Sequence, residues 1–171
     1  MRSLDAQRGG IVMMLLFWIV LLGAGTWLID GGFTKLSTPN AHVVNASPDG
    51  APVTLKRNRS GHFEAPGEIN GEPVTFLLDT GATYVNVPQE LAARLALVPG
   101  RSAWFNTANG RVQGNLTELD EVVLGGLRAQ SVQGSISPGM EHDTVLLGMS
   151  FLNLFAIEMA DGEMRLRLPA P

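Results

Sequence analysis

The sequence predicts a mostly β domain with one or two short helices, preceded by one transmembrane helix. From Val53 onward, short runs of alternating apolar and polar residues are separated by turn signals, which is typical of β-strands. Two of these signals, Asn70-Gly71 and Asp161-Gly162, are dipeptides that favour tight β-hairpins. Residues 10–29 carry no charged side chain over a length that suits a membrane-spanning helix.

Composition limits the classes of function that are open to the chain. Its 171 residues, 45% of them hydrophobic, are enough for one compact domain plus an appendage. A formal net charge of −4 argues against a nucleic-acid partner, which usually meets a basic face. The absence of cysteine excludes disulfides, zinc–thiolate sites and thiol nucleophiles. The three histidines lie in separate segments without metal-binding spacing, so we predict no metal and no other cofactor.

The uncharged segment 10–29 has two interpretations. Its length matches a hydrocarbon core of about 30 Å, and Trp27 lies near its end, where interfacial aromatic residues are common. A cleavable signal peptide would be cut near the small residues Gly23-Ala24-Gly25. The apolar run continues past that point to Ile29, which favours a retained anchor.

The charges that flank this segment predict its orientation. Arg2 and Arg8 outnumber Asp5 on the N-terminal side, whereas residues 30–49 contain Lys35 as their one cation. The positive-inside rule therefore places residues 1–9 in the cytoplasm and the remainder of the chain across the membrane.

Residues 30–52 are predicted to form a flexible linker. Gly, Ser, Thr, Pro, Asn and Asp are frequent in this segment, and a regular apolar period is missing. The folded domain then occupies residues 53–171, close to the bilayer without being part of it.

The domain is predicted to contain short strands and two helices. The strands are expected at 53–58, 62–69, 73–79, 102–108, 111–125 with an interruption at Gly114, 127–136 and 144–148, followed by a hairpin over 156–168. One helix is predicted over 89–97, where Leu91 and Leu95 share a face after Pro88. A second short helix is predicted over 149–155.

The stretch FLLDTGAT, residues 76–83, places a carboxylate at the end of an apolar strand and follows it with small residues. Aspartate is seldom buried without a partner, so the position of Asp79 needs an explanation. One hypothesis is a chemically inert turn aspartate at the end of a strand. The other is a carboxylate that is held in a shaped site for catalysis.

The longer stretch FLLDTGATYV resembles the active-site segment of retroviral-type, or retropepsin-like, aspartic proteases. Two further pieces occur in the family's order along the chain. Thr107-Ala108-Asn109-Gly110 resembles the flap hairpin of single-span bacterial members, and Leu146-Leu147-Gly148 resembles the family's apolar-apolar-glycine element. The resemblance covers roughly residues 59–168. It implies a closed β-barrel protomer, held in a bacterial inner membrane with its protease domain in the periplasm.

The resemblance assigns catalysis to Asp79, Thr80 and Gly81. Two carboxylates that share one proton can hydrolyse a peptide bond, one as base on a water and the other as donor to the scissile carbonyl. Glycine at position 81 lets backbone N–H groups approach the carboxylate. Thr80 offers a hydroxyl that, by the resemblance, links two active-site loops. Substrate binding is implied for Ala82, Thr107, Ala108, Asn109 and Gly110.

The chain supplies one aspartate of this kind. Asp120, Asp143 and Asp161 are not followed by Ser/Thr-Gly. The second carboxylate must then come from another copy, in a homodimer whose two-fold axis passes through the site. The sequence therefore predicts a membrane-anchored aspartic endopeptidase that cuts polypeptide substrates as a homodimer.

Two other classes of function remain open. In the first class, the domain is a catalytically silent dimerisation or peptide-binding module. In the second class, it is a plain structural β-domain of the envelope.

Two features of the sequence bear on the predicted active site. Met149 stands where viral members usually carry an arginine, and Trp104 and Phe105 are either packing at the base of the flap or substrate contacts.

Overall fold

The computed structural model of the chain describes residues 14, 17–22, 39–43, 48–107, 110–138 and 143–170. They belong to two compact units, Met1–Ser37 and Thr38–Pro171. In the first unit, the described residues are helical and their large apolar side chains are 47–69% exposed. Most of the predicted anchor, 10–29, lies outside the described residues. Among those described, no helix is both long and apolar enough to cross a membrane.

The second unit is mostly β with few helices, as predicted. Its strands are β1 Val53–Lys56, β2 Glu64–Ile69, β3 Glu72–Leu78, β4 Val85–Pro88, β5 Ser102–Thr107, β6 Gly110–Leu124, β7 Leu127–Ser137, β8 Thr144–Leu147, β9 Ala156–Ala160 and β10 Glu163–Arg167. The α-helices are α1 Gln89–Arg94 and α2 Met149–Leu152, and Ala41–Val43 forms a 3₁₀ turn.

The strands form two sheets. The smaller sheet has the order β1-β10-β9, and the larger has the order β2-β3-β8-β4-β7-β6-β5. Two pairs in the larger sheet are parallel, β3 with β8 and β4 with β7. A further contact over two residues joins β2 to β6. The larger sheet therefore has seven strands, and the β2–β6 contact joins two strands that are not neighbours in this order; the closed barrel that the resemblance implies stays a prediction.

Both predicted hairpin turns are confirmed. Asn70 and Gly71 have φ angles of 53° and 82°, and Asp161 and Gly162 have φ angles of 51° and 78°. Two consecutive residues with positive φ are what a type I′ turn requires, and this turn matches the twist of the two strands it joins. The first turn connects β2 to β3 and therefore directs the chain toward Asp79.

The structure differs from the sequence prediction in the interruption expected at Gly114. β6 runs without a break through this residue, which is paired with Ala103 of β5. A Cβ at position 114 would lie 2.5 Å from the carbonyl oxygen of Ile136 in β7. Glycine is therefore needed for close approach of two backbones and not for a bend.

The elements around α1 also differ from the prediction. The sequence does not predict β4, because Pro88 indicates only the residue that precedes a helix. α1 ends at Arg94, earlier than the predicted 97, and Ala96 has a φ of 51° that is incompatible with helix continuation. α2 likewise ends at Leu152, earlier than the predicted 155.

Strand alternation separates a core face from a second face in the middle of the large sheet. Phe76 and Leu78 of β3 are buried, as are Val145 and Leu147 of β8. The residues between them, Leu77 and Leu146, are only half-buried and point away from this core. Asp79 continues the alternation of Leu77, so its carboxylate lies on the half-exposed face.

The folded unit includes residues from the predicted linker of 30–52. Asn40 is fully buried, and its amide nitrogen donates hydrogen bonds to the carbonyl oxygens of Lys56 (2.9 Å) and Glu64 (2.7 Å). Its amide oxygen accepts a hydrogen bond from the N–H of Lys56 (2.8 Å). Because Lys56 ends β1 and Glu64 begins β2, one side chain joins the two sheets. The folded unit therefore starts before Val53, the boundary that strand patterning indicates.

We expect Asn40→Ala to lower the free energy of unfolding of the full chain by about 1–3 kcal/mol, because three backbone groups of Lys56 and Glu64 lose their hydrogen bonds to a fully buried amide. Chemical denaturation followed by circular dichroism measures the change. Asn153→Ala, at an exposed position at the end of α2, is the matched control and should change stability by less than about 0.5 kcal/mol. Equal stability of the two variants would contradict a bridging role for Asn40.

Candidate active site

Asp79 is the first residue after β3. Its N–H donates a hydrogen bond to the carbonyl oxygen of Leu147, the last residue of β8 (3.1 Å). Since β3 and β8 are parallel, the loops that follow them leave the same edge of the sheet. The loop that carries Asp79 is thereby placed beside the loop that begins at Gly148.

The carboxylate of Asp79 is half-buried and oriented by its own loop. Oδ1 accepts a hydrogen bond from the N–H of Gly81 (2.8 Å), and the main-chain oxygen of Asp79 accepts one from the N–H of Ala82 (3.2 Å). A Cβ at Gly81 would lie 3.1 Å from Oδ1, so glycine leaves space for this approach. The same bond defines the Asx turn that an inert aspartate would make, so it does not separate the two hypotheses by itself.

Backbone hydrogen bonds join the Asp79 loop to the start of α2. The N–H of Met149 donates to the carbonyl oxygen of Ala82 (2.8 Å), and the N–H of Ser150 donates to that of Thr83 (2.9 Å). The loop is therefore anchored through the main chain at Met149, where the sequence lacks the arginine that viral members usually carry. Thr80, the other predicted catalytic residue, has an exposed side chain.

Ser150 is a supporting residue that the sequence analysis did not identify. Its hydroxyl donates a hydrogen bond to the carbonyl oxygen of Gln133 (2.7 Å) and accepts one from the N–H of Val85 (3.0 Å). It thus connects α2 to both β7 and β4. No local motif distinguishes this serine, because its partners belong to strands that are distant in sequence.

Gly148 permits the two loops to come together. A Cβ at this position would overlap the carbonyl oxygen of Tyr84 and lie 2.7 Å from that of Ala82. Both atoms are backbone and cannot rotate away, so any side chain at position 148 would separate the loops. The glycine of the apolar-apolar-glycine element is therefore required because no side chain fits between the two loops.

The predicted flap is a β-hairpin formed by β5 and the start of β6. Thr107 is paired with Gly110, and its hydroxyl donates a hydrogen bond to the Gly110 carbonyl oxygen (2.7 Å). Ala108 and Asn109 lie outside the described residues. The hairpin is confirmed, whereas substrate binding by Ala82 and by residues 107–110 stays a prediction.

The two aromatic residues of β5 have different environments. The ring of Phe105 makes an edge-to-face contact with Tyr84, with ring centroids 6.2 Å apart. Trp104 is 57% exposed, and the guanidinium of Arg111 lies 4.8 Å from its ring centroid. Phe105 is therefore packing at the flap base, where it holds the hairpin against the end of the Asp79 loop.

The other aspartates considered as partners for Asp79 are engaged or placed elsewhere. Asp143 forms an ion pair with Arg94 (2.9 Å), Asp161 lies in the turn between β9 and β10, and Asp120 is exposed on β6. Within the described part of the chain, no three His, Asp or Glu side chains are grouped closely enough to hold a metal ion. A cleft of about 410 Å³ between the loop after α1 and strands β6 and β7 does not include Asp79 in its lining.

Comparison with known proteins agrees with this geometry. The family model described as "gag-polyprotein putative aspartyl protease" matches residues 65–154. The structure is similar to the crystal structure of a retropepsin-like aspartic protease from Rickettsia conorii, with a TM-score of 0.59 and 29% sequence identity. That match covers 69% of this chain and 91% of the other.

Two curated proteins are also similar in sequence. An uncharacterized protein encoded in the cobV 5′ region of a Sinorhizobium species is 30% identical over 161 residues, which is 92% of this chain and 67% of that protein. An uncharacterized protein of Rickettsia prowazekii is 29% identical over 106 residues, which is 60% of this chain and 45% of that protein. Since the matched family model spans more than half of the chain, including both loops around Asp79, the chain belongs to the retropepsin-like aspartic protease family.

Proposed function

We propose that the chain is an aspartic endopeptidase that acts as a homodimer, with the Asp79 carboxylates of two copies activating one water molecule. The observation that carries this proposal is the carboxylate itself. It is oriented by the Gly81 N–H, lies on the half-exposed face at the end of β3, and belongs to a loop that contacts the flap hairpin through Tyr84 and Phe105.

In this mechanism one Asp79 carboxylate takes a proton from the water, and the oxygen of the water attacks the scissile carbonyl carbon. The second Asp79, which is protonated, donates its proton to the carbonyl oxygen. The C–N bond then breaks as the first carboxylic acid gives its proton to the leaving nitrogen, while the second carboxylate takes back the proton of one hydroxyl of the intermediate. The products are a carboxylic acid and an amine, and the pair again shares one proton. Acid–base assistance of this kind contributes about 10²–10⁴ in rate. Activity is expected on the acid side of neutrality, because one carboxyl group of the pair must keep its proton.

The remaining predicted site residues have supporting roles in this proposal. The Thr80 hydroxyl links the active-site loops of the two copies, and Gly81 positions the carboxylate. Residues 107–110 bind a substrate that lies in an extended conformation, with main-chain hydrogen bonds supplying much of the affinity. Ala82 is small enough to let the substrate lie against the loop.

The smaller sheet provides an argument for where two copies meet. Leu55, Met164 and Met159 are in register across β1, β10 and β9, so their side chains share one face. Leu55 and Met164 are 0% and 2% exposed, but Met159 is 54% exposed. The hydrophobic row therefore extends past the area that one copy covers.

The outer edge of β9 completes this surface. In the described part of the chain, β9 is paired only with β10, so its other edge can offer N–H and C=O groups to a second strand. We place the dimer interface at this edge, with Met159 covered by the second copy. An isologous contact of this kind brings the same residues of both copies to one two-fold axis.

We expect Asp79→Asn to lower the cleavage rate of an unstructured protein by at least about 100-fold, because the amide can neither accept the proton of the water nor share it. Cleavage is measured by electrophoresis, and dimerisation by sedimentation. Asp120→Asn makes the same chemical change at an exposed position of β6 and should retain activity. Undiminished cleavage by Asp79→Asn would overturn the mechanism. Absence of any cleavage by the unaltered chain would favour the catalytically silent module.

We expect Met159→Lys to raise the dissociation constant of the dimer at least about ten-fold, because an ammonium group would lose its water at the interface. Sedimentation velocity over a range of protein concentrations measures this constant. Thr54→Lys, at an exposed position of β1, is the control and should leave the constant unchanged. An unchanged constant for Met159→Lys would place the interface elsewhere.

We also propose that residues 10–29 anchor the chain in a bacterial inner membrane, with residues 1–9 in the cytoplasm and the protease domain in the periplasm. The absence of charge in this segment supports the anchor, and the flanking arginines support the orientation. The described residues of the segment, 14 and 17–22, are helical and expose apolar side chains, which is consistent with a lipid-facing surface.

We expect the full chain to remain with membranes after an alkaline wash, and added protease to digest its C-terminal domain in spheroplasts. Replacing both Ile19 and Leu22 with Arg should release the chain, since each charge at the centre of a span costs about 2.5–3.5 kcal/mol. A soluble mature chain whose N-terminus follows Gly25 would contradict the anchor and identify a signal peptide.

A further inference from the structure

The flap hairpin of β5 and β6 has one face that points away from the Asp79 loop. Trp104 and Phe105 are neighbours in β5, and neighbouring side chains of a strand lie on opposite faces. Because the Phe105 ring contacts Tyr84 at the end of the Asp79 loop, the indole of Trp104 lies on the other face, which we call the outer face. The outer face carries Ser102, Trp104 and Asn106 of β5 and their partners in register on β6, which are Asn115, Gln113 and Arg111.

The outer face combines an exposed indole with a guanidinium and carries no carboxylate. Trp104 is 57% exposed, and the guanidinium carbon of Arg111 lies 4.8 Å from its ring centroid. The other four side chains of the outer face are one hydroxyl and three carboxamides. Within the described part of the chain, no Asp or Glu forms an ion pair with Arg111. The outer face is therefore locally positive in a chain whose formal net charge is −4.

The loop before β5 extends this face. The side-chain nitrogen of Asn115 donates a hydrogen bond to the carbonyl oxygen of Gly100 (3.0 Å), which holds the loop beside the outer face. Two residues of the loop are exposed, Val98 at 79% and Arg101. The loop thus adds an apolar side chain and a second cation.

The headgroup region of an anionic lipid bilayer matches this combination of groups. Tryptophan is enriched at membrane–water interfaces, because its large apolar ring system carries one polar N–H. The guanidinium of arginine binds phosphate through paired N–H donors, and its aliphatic stem can lie along apolar surface. An uncharged polar surround costs little to bring against headgroups, whereas a carboxylate would be repelled by anionic lipid.

The length of the tether favours a lipid over a protein partner. The uncharged segment ends at Ile29 and the folded unit begins at Thr38, so the tether consists of residues 30–37. A tether of this length spans at most about 30 Å when fully extended. If residues 10–29 cross the membrane as proposed above, phospholipid headgroups are present at high effective concentration for any surface of the folded unit that binds them.

We propose that the outer face of the flap hairpin, together with Val98 and Arg101, docks on the headgroups of anionic phospholipids. The side chains of Trp104 and Val98 enter the interfacial region, and the two arginines contact phosphate groups. This surface lies on the side of the hairpin opposite the Phe105–Tyr84 contact and takes no part in proteolysis. The inference rests on the proposed anchor only for the proximity of the bilayer.

The test places the full chain in vesicles of phosphatidylcholine with brominated acyl chains, with or without added phosphatidylglycerol. Trp18→Phe and Trp27→Phe leave Trp104 as the one indole of the chain, so quenching by bromine gives the ratio of docked to undocked hairpins. Phosphatidylglycerol should raise this ratio at least about five-fold, and Arg111→Gln should lower it about five-fold, because each cation near an anionic surface contributes about that factor. Arg165→Gln removes an exposed cation of β10 and should leave the ratio unchanged. Equal quenching in both kinds of vesicle, or quenching that Arg111→Gln leaves intact, would overturn the proposal.

This measurement also separates the inference from the proposed function. It needs no cleavage, so it can be made with the Asp79→Asn chain, and a chain that cuts no polypeptide still gives a result. If residues 10–29 are instead removed as a signal peptide, the soluble mature chain with Trp27→Phe is added to preformed vesicles. Quenching of Trp104 that requires phosphatidylglycerol supports docking without an anchor, and the absence of quenching overturns it.

Discussion

The site depends on the backbone hydrogen bonds between the loops that follow the parallel strands β3 and β8. The N–H of Asp79 is bound to Leu147, and the N–H of Met149 is bound to Ala82, so each loop holds the other in place. Main-chain groups must be paired wherever water is excluded, and these bonds do not depend on which side chains surround them. The two loops can approach each other this closely because residue 148 is glycine, since a side chain there would meet two carbonyl oxygens. The position of the Asp79 carboxylate is therefore determined by these backbone hydrogen bonds and by the glycine at position 148.

Side chains alternate between the two faces of the sheet along these strands. Those on one face pack in the core, and those on the other lie on the side of Asp79. Phe76, Val85 and Leu147 fill the core on one side, and their burial holds the strands together. Leu77, Asn86 and Leu146 lie on the other side and are left half-exposed. In one copy that side carries the Asp79 carboxylate. In the proposed assembly the second copy supplies the other carboxylate, and the substrate lies across this side.

Features that depend on two or three neighbouring residues could be predicted from the sequence. The hairpin at Asn70-Gly71 and the Asp79-Thr80-Gly81 motif are of this kind. β4 could not, because four residues ending at Pro88 acquire strand character only by pairing with β7 and β8. The same holds for the contacts of Ser150, which depend on the register of distant strands.

Asn40 shows how a long-range contact sets the limits of a domain. The amide reaches partners 16 and 24 residues further along the chain, and no local pattern signals it. A fragment that began at Val53 would retain every strand and yet leave the junction between the sheets with unfilled hydrogen bonds. The same contact determines where a processing protease can cut the chain without disrupting the folded unit. A cut before Pro39 would liberate an intact folded unit, whereas a cut after Asn40 would leave the bridging amide on the discarded piece.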